Sequence, residues 1–551
     1  MILRQYQTQA SDAIMREFQE SDSTLIVVPT GGGKTIIIAD VIRRFHPQRA
    51  IVLAHREELI FQARQKIEAF TGFNCEIEMA DLTAAANLWQ LPEVIISTVQ
   101  TQNSGTTKKR MTRFNPNDFG LLVIDEAHHC TANSYRAVID YYKSNPDLRV
   151  LGVTATPDRT DEEALGQVFK TVAFDYEILD AIHDGYLVPV EQQLVSISGL
   201  DFSNVRTTAG DLNGADLAAV MEQEEMMQGV ASASIEIVGT HRSVVFTSSV
   251  KHAETISSIF NRHRNGMCEW VCGTTPKEER RRILDDFQNG RVQVVANCAV
   301  LTEGFDNTGV EVIIMARPTK SRSLYAQMAG RAMRPLPGVI DGLEAASADE
   351  RKSAIATSAK SSCKIIDFVG NSGRHKLMTT ADILGGNVSE EAIEKALEVA
   401  RKSGKAVRIS EELDEAQARI VAEMQKRRQE EAARKARLVA KAQYSMQSVD
   451  PFNILQMTPH NARGWDSQII LSEKQRAILQ KQGIDPDSMP AHQAKQLLNE
   501  IFRRWNNGLC TLKQAKWLSK HGYETKSITL KAASAIMDSW AKNNWQRPAE
   551  G

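Results

Sequence analysis

Short apolar runs recur along the first two thirds of the chain, each followed by a longer stretch in which apolar residues return every three or four positions. The runs at 25–28, 50–54, 94–98, 121–124 and 150–154 are rich in Val, Ile and Leu. They predict fully buried strands of a parallel sheet, with the helical patterns between them as its cover. A similar series starts again at Ser243, with runs at 244–247, 270–272, 292–296, 310–316 and 364–368. The pattern therefore predicts two α/β lobes. Between them, residues 158–239 have weaker periodicity and Gly-, Asp- and Met-rich stretches, which reads as a connector with helices.

From 389 to about 444 the chain turns to Glu, Ala, Lys and Arg with almost no Gly or Pro, the pattern of a long helix or helix pair. Its Lys426-Arg427-Arg428 run could touch phosphates, but the interleaved Glu430 and Glu431 favour a solvated helical face. Pro451 and Pro459 then mark a linker. The last segment is an internal repeat of period 39: Ser472-Glu473-Lys474-Gln475 returns as Thr511-Leu512-Lys513-Gln514, Leu479 as Leu518, Gly483 as Gly522, Ser488 as Ser527 and Ala494 as Ala533. Two copies of one helical hairpin are expected. The boundaries follow as a first lobe over 1–175, a connector over 176–240, a second lobe over 241–385, a charged helical segment over 386–445, a linker over 446–470 and a tandem repeat over 471–547.

Composition excludes little. The 551 residues carry 66 basic and 68 acidic side chains, for a net charge of −2, so binding to a polyanion must rest on local basic surfaces. One such surface is the repeat, where 13 Lys and Arg stand against 6 Asp and Glu, together with Trp505, Trp517, Trp540 and Trp545. These aromatics either stack on nucleic-acid bases or fill the cores of small helical units that need them. The seven cysteines are scattered, and no second Cys or His pair at zinc spacing accompanies Cys268 and Cys272. No structural zinc is expected. No segment reaches about 18 uninterrupted apolar residues, so no membrane span is expected, and the scattered cysteines suit a reducing cytoplasm.

Candidate chemistry lies at two places in the first lobe. Pro29-Thr30-Gly31-Gly32-Gly33-Lys34-Thr35 follows an apolar run and precedes a helical pattern, the order that aims backbone amides at a phosphate. A strict G-x-x-x-x-G-K-[ST] pattern would need Gly at 28, where the chain has Val28. The second place is Asp125-Glu126-Ala127-His128, whose Asp125 ends the run 121–124 and so emerges at the carboxyl edge of the sheet. Lys34 is expected on the β- and γ-phosphate oxygens, the Thr35 hydroxyl and Asp125 on Mg²⁺, and Glu126 as the base that activates water.

The form Pro-Thr-Gly-x-Gly-Lys-Thr resembles superfamily 2 helicases, and the resemblance widens over about 3–370. It implies two RecA-like domains that bind MgATP between them. Arg4-Gln5-Tyr6-Gln7 looks like the element that reads adenine, placing Gln7 and Arg4 at the base alongside the phosphate-loop residues Thr30, Gly31, Gly32 and Gly33. Leu53-Ala54-His55-Arg56 and Ser97-Thr98-Val99-Gln100-Thr101 match first-lobe elements that face nucleic acid, which implies contacts from His55, Arg56, Thr98, Gln100 and Thr101. Thr154-Ala155-Thr156-Pro157 matches the coupling element, so Thr154, Thr156 and His128 are expected to link the ATP site to the strand.

In the second lobe, the Val245-Phe246-Thr247-Ser248-Ser249 and Gly273-Thr274-Thr275 segments resemble backbone-gripping strand ends, which implies Thr247, Ser248 and Thr274 as contacts. Thr302-Glu303-Gly304-Phe305-Asp306 resembles the nucleotide-sensing element with Gly304 and Asp306, and Gln327-Met328-Ala329-Gly330-Arg331-Ala332-Met333-Arg334 matches Q-x-x-G-R-x-x-R. Two Arg three apart on a helix share a face, and Arg331 and Arg334 are the arginine-finger candidates, with Gln327 beside them. The pair His128 and His129 gives a DEAH-type box, and the arrangement looks closest to RadD-like and XPB-like bacterial or phage DNA helicases. The chain lacks RadD's C-terminal cysteine cluster. The expectation is an ATP-dependent DNA helicase or translocase in the cytoplasm of a bacterial cell or phage-infected host, with DNA as partner and a possible protein partner at 471–547. The alternatives are a DEAH-box RNA helicase and a nucleotide-switched clamp or loader that recruits a partner without unwinding.

Overall fold

Seven strands of the first lobe run from one apolar segment to the next: β1 (Ser23–Val27), β2 (Arg49–Ala54), β3 (Cys75–Glu78), β4 (Val94–Thr98), β5 (Phe119–Asp125), β6 (Arg149–Thr154) and β7 (Thr171–Asp175). They belong to a computed structural model that describes residues 2–54, 57–84, 92–105, 109–155, 165–208, 210–302, 305, 307–373, 375–385, 388–423, 451–455, 457–459, 466 and 469–542. Their order is β3-β4-β2-β5-β6-β1-β7, and every pairing is parallel. A parallel sheet needs cover on both faces. Helix Lys34–Phe45 supplies part of it by burying Ile37, Ile38, Val41 and Ile42, spaced to form one apolar stripe. The sheet order matters for chemistry because β6 stands between β1 and β5, so the phosphate loop after β1 and the acidic pair after β5 flank the end of β6.

The second lobe is larger than the sequence pattern suggests. Its strands β8 (Val190–Asp201), β9 (Thr207–Thr208), β10 (Asp211–Leu212), β11 (Ser243–Thr247), β12 (Cys268–Val271), β13 (Val294–Asn297), β14 (Val312–Ala316), β15 (Cys363–Asn371) and β16 (Val407–Arg408) include a sheet of order β12-β13-β11-β14-β15-β8-β16. β9 and β10 form a separate antiparallel ladder. The segment expected as a connector thus supplies β8, which pairs with β15 along most of its length. Its Met-rich stretch is core: Met221, Met226, Met227 and Val230 pack with Phe202, Val245 and Phe260. The charged segment differs too. Helix Glu390–Ser403 ends at Gly404, whose φ of +60° suits a residue without a side chain, and the chain then adds β16 antiparallel to β8. The run Lys426-Arg427-Arg428 lies outside the described residues.

The chain divides into two compact units, Met1–Ile420 and Val421–Gly551. In the second, helices Glu473–Lys481 and Leu512–Lys520 open with the same device 39 residues apart: Ser472 and Thr511 each cap the helix, with Gln475 and Gln514 closing the box. Gly483 and Gly522 follow with φ of +78° and +85°, a conformation in which other residues are strained. Leu479, Leu518, Ala494 and Ala533 meet in one core. The tryptophans divide. The Trp540 indole donates to Tyr523 at 3.0 Å and meets Trp517 edge to face, whereas Trp505 is 46 % exposed; Trp545 lies outside the described residues. Among the described residues no helix is long and apolar enough to cross a membrane.

Candidate active site

The phosphate loop is built for close approach. After β1, Gly31 and Gly33 take φ of +85° and +73°, open to glycine and costly for other residues. A Cβ at Gly32 would sit 2.7 Å from Val28 Cγ1, and one at Gly33 2.5 Å from Gln7 Nε2. Helix Lys34–Phe45 then begins with no side-chain cap and no acidic residue in its first turn, which leaves its dipole and amides suited to an anion. These features fit a nucleotide triphosphate.

Across the loop, Lys34 Nζ donates to Glu126 Oε1 at 2.7 Å. Burial alone would raise the Glu126 carboxyl, but Lys34, followed by His128, outweighs it and holds the carboxyl well below the usual range. Burial also works against the Lys34 ammonium, and Glu126 with Asp125 more than offsets it. Glu126 sits at φ +50° and ψ +54°, a left-handed conformation uncommon for residues with side chains and often found where function demands an exact aim. Its amide donates to Asp125 Oδ1 at 3.0 Å. Its second oxygen, Oε2, is buried and accepts no hydrogen bond among the described residues, which leaves an acceptor in the site. His128 Nδ1 lies 3.3 Å from Thr154 Oγ1 at the end of β6 and 3.5 Å from Glu126 Oε2. The structure so brings His128 and Thr154, expected as coupling residues, onto the acid; Thr156 lies outside the described residues.

The second lobe closes the site. A Cβ on Gly31 would meet Arg334 Cγ at 2.7 Å, and one on Gly330 would meet Thr30 Cβ at the same distance. The stem of Arg334 thus lies across the phosphate loop. Arg331 lies near enough for its charge to act on Lys34, while its Nη1 donates to Phe305 O at 2.6 Å and its Nη2 to Thr302 O. Contrary to expectation, Arg331 and Arg334 do not share a helix face, because helix Arg322–Ala329 ends before either Arg. The turn that follows carries both. It is held open as a turn in part because Met333 O accepts from the Val188 amide at 2.8 Å. Gln327 is buried on the helix, and Gly304 and Asp306 lie outside the described residues.

Residues 1–159 match the family described as type III restriction enzyme, res subunit, and residues 228–335 match the helicase conserved C-terminal domain. IRC3 of Saccharomyces cerevisiae, which carries an ATP-dependent helicase name, is 30% identical over 389 residues, 67% of this chain and 52% of that protein. The chain belongs to the superfamily 2 helicases. Its fission-yeast counterpart in Schizosaccharomyces pombe, named as a mitochondrial ATP-dependent helicase, is 28% identical over 352 residues, 62% of this chain and 56% of that one. The DNA 3'-5' helicase XPB of Mycobacterium tuberculosis is 25% identical over 350 residues, covering 60% and 58%. The chain spans little more than half the length of these relatives.

At the N-terminus of this helicase, Gln7 Oε1 accepts from the Arg4 amide at 3.0 Å, and Gln7 Nε2 donates to Gly32 O at 3.4 Å. The residue between was missed as a functional group: the Tyr6 hydroxyl also donates to Gly32 O. Tyr6 stacks on Tyr176 at 4.4 Å between ring centroids and meets Tyr186 edge-on. Its place inside Arg4-Gln5-Tyr6-Gln7 was the available signal.

The expected strand contacts are mixed in character. Thr98 and Thr101 are buried and spend their hydroxyls on each other at 2.8 Å, Thr98 also capping helix Val99–Asn103; Gln100 on that helix is exposed. Thr247 donates to Asn297 O at 2.9 Å and is buried, and Ser248 Oγ pairs with His252 Nδ1 at 3.0 Å. Thr274 is exposed beside Cys272. His55 and Arg56 lie outside the described residues.

Proposed function

We propose that this superfamily 2 helicase is an ATP-driven DNA motor whose two lobes close on nucleotide and move along, or unwind, a DNA strand. The observation that carries this is the Arg334 stem of the second lobe lying across Gly31 of the first: a shift between the lobes would displace that side chain at the phosphate loop, and the reverse. Lys34, Thr35 and Asp125 would hold the magnesium-bound triphosphate, which supplies the anhydride to be cleaved. Glu126 would take a proton from the attacking water, and its left-handed backbone fixes where that carboxylate points. Arg334 would neutralise charge from the far side, a role worth orders of magnitude in rate. His128 and Thr154 link that base to the end of β6.

DNA is the proposed track because the XPB relative is named a DNA helicase. Phosphate contacts position a strand without reading its sequence. The basic repeat with its exposed Trp505 is proposed as a second grip on nucleic acid. Seven unpaired cysteines suit the proposed cytoplasmic setting.

The test is steady-state ATP hydrolysis without polymer and with single-stranded, duplex and forked DNA and RNA, with Glu126→Gln as the blank. Stimulation by DNA that the variant abolishes supports the motor. Stimulation by RNA alone would replace the track, and turnover insensitive to every polymer would point to a partner-activated switch.

A further inference from the structure

One buried cation in the second lobe has no part in the chemistry described above. Lys360 is 3 % exposed, lies on the stretch between helix Ala348–Ala356 and β15, and its Nζ donates to two backbone carbonyls: Thr308 O at 2.7 Å and Arg334 O at 2.8 Å. Burial pushes its pKa down to about 8, as expected for an ammonium placed where carbonyl dipoles replace water. Burying an ammonium in such a place is costly, so the site must gain something from having a cation there.

The two carbonyls belong to different functional segments. Thr308 follows closely in the chain on Thr302 and Phe305, whose carbonyls hold the Arg331 guanidinium. Arg334 is the residue whose stem crosses Gly31. The Arg334 carbonyl follows the helix end, where no i+4 amide claims it. Lys360 therefore fixes the backbone of Arg334 at a set distance from the segment that Arg331 also grips, and Met333 O is held at the same turn by Val188.

We infer that Lys360 is a positioning residue for ATP turnover: it ties the Thr302–Thr308 segment to the arginine turn so that Arg334 is presented to the phosphate loop in one arrangement. This rests on the motor reading above. The residue touches no nucleotide. Its effect passes through Arg334, since a displacement of about 1 Å in a positioned group can cost on the order of 100-fold in rate.

A double-mutant cycle on DNA-stimulated ATP turnover in the full chain tests it, using Lys360→Met, Arg334→Ala and both. Lys360→Met is expected to lower kcat about tenfold or more with KM for ATP within about threefold, and to add nothing to the loss caused by Arg334→Ala. Lys360→Arg, which keeps charge and donors, is expected to recover part of the rate. A cycle that multiplies, or a loss carried by KM, overturns the inference, because a residue that only stabilises the lobe acts independently of Arg334. Lys360→Gln repeats the cycle with a neutral donor in case the Met variant misfolds; loss of cooperative melting in both variants replaces positioning by a folding role. A wild type that hydrolyses no ATP overturns the motor reading and this inference together, whereas an active wild type with an additive cycle overturns this one alone.

Discussion

Adding a single methyl group at Gly31 should disable the proposed motor by displacing the arginine that crosses the phosphate loop. Gly31→Ala places a Cβ 2.7 Å from Arg334 Cγ, 3.0 Å from Arg334 Cδ and 3.6 Å from Leu187 Cδ2, at a φ of +85°. The first two contacts are closer than carbon atoms tolerate, and because the Arg334 side chain is flexible the overlap is relieved by moving it, not the loop. The backbone conformation adds roughly 1–2 kcal/mol of strain for a residue with a Cβ. Ground and transition states carry that strain alike, so it lowers stability and not kcat. If the guanidinium leaves its position, loss of a finger contributes about a thousandfold or more. The assay is kcat and KM for ATP on DNA, with Gly31→Ala compared in the Arg334→Ala background. There the methyl group should leave kcat within about threefold, its strain appearing as lost stability. Turnover within twofold of wild type for Gly31→Ala, or the same large loss whether or not Arg334 is present, would refute the claim that the loop and the arginine share one space.

Three further outcomes follow from the same coordinates. Thr154→Val removes the hydroxyl beside His128 while keeping shape; ATP hydrolysis is expected to persist within about tenfold while strand displacement per ATP falls, a split read by running both assays on one forked substrate. Asp367, buried where it accepts from Tyr325 at 2.6 Å and Gln192 at 2.7 Å, has its carboxyl pushed up by burial to about 6. The folded protein then binds this proton more tightly than the unfolded chain, so the group's contribution is full below about pH 4 and lost as pH rises through about 6; Asp367→Asn should flatten the fall in Tm between pH 4 and 7, measured by calorimetry. Trp505→Ala should weaken single-stranded DNA binding by about five- to a hundredfold, the range of one base stack, with the salt slope unchanged and Trp505→Phe keeping most of the affinity; equal affinities for all three proteins would remove the indole from the interface.

The shape of the phosphate loop was legible because its backbone limits the residue types. A loop that must reach positive φ twice and then start a helix on Lys-Thr leaves few sequences open, and Gly31, Gly33 and Lys34 sit where that reading put them. The lobes were legible because buried parallel strands are continuous apolar runs. β8 was not, since its sequence Val-Glu-Gln-Gln-Leu-Val-Ser-Ile-Ser-Gly-Leu-Asp alternates and stays partly exposed, a pattern that says half-buried strand only once the partner, β15, is known. β16 has two residues, too few for any periodicity. The arginine pair was placed on a helix that stops at Ala329, with Gly330 as its C-cap, a local signal that the Q-x-x-G-R-x-x-R match overrode. Thr98 and Thr101 illustrate the opposite error: hydroxyls at a strand end suit a phosphate and a helix cap equally, and here they form the cap.

Between β7 and β8 the polypeptide passes from one lobe to the other through residues 176–189, and most of that passage is committed: helix Ile178–His183 occupies its middle and the Val188 amide is fastened to Met333 O. The crossing is a stiff crank with almost no slack. A long loose leash would let the lobes part without consequence for either. Here the strand that leaves the crank becomes β8 of the second sheet, and its last anchor before that sheet is the turn bearing Arg334. In the proposed motor, rotation of one lobe against the other would pass straight to the turn that bears the arginine, and lengthening the crank by a few glycines would let the two lobes turn out of phase.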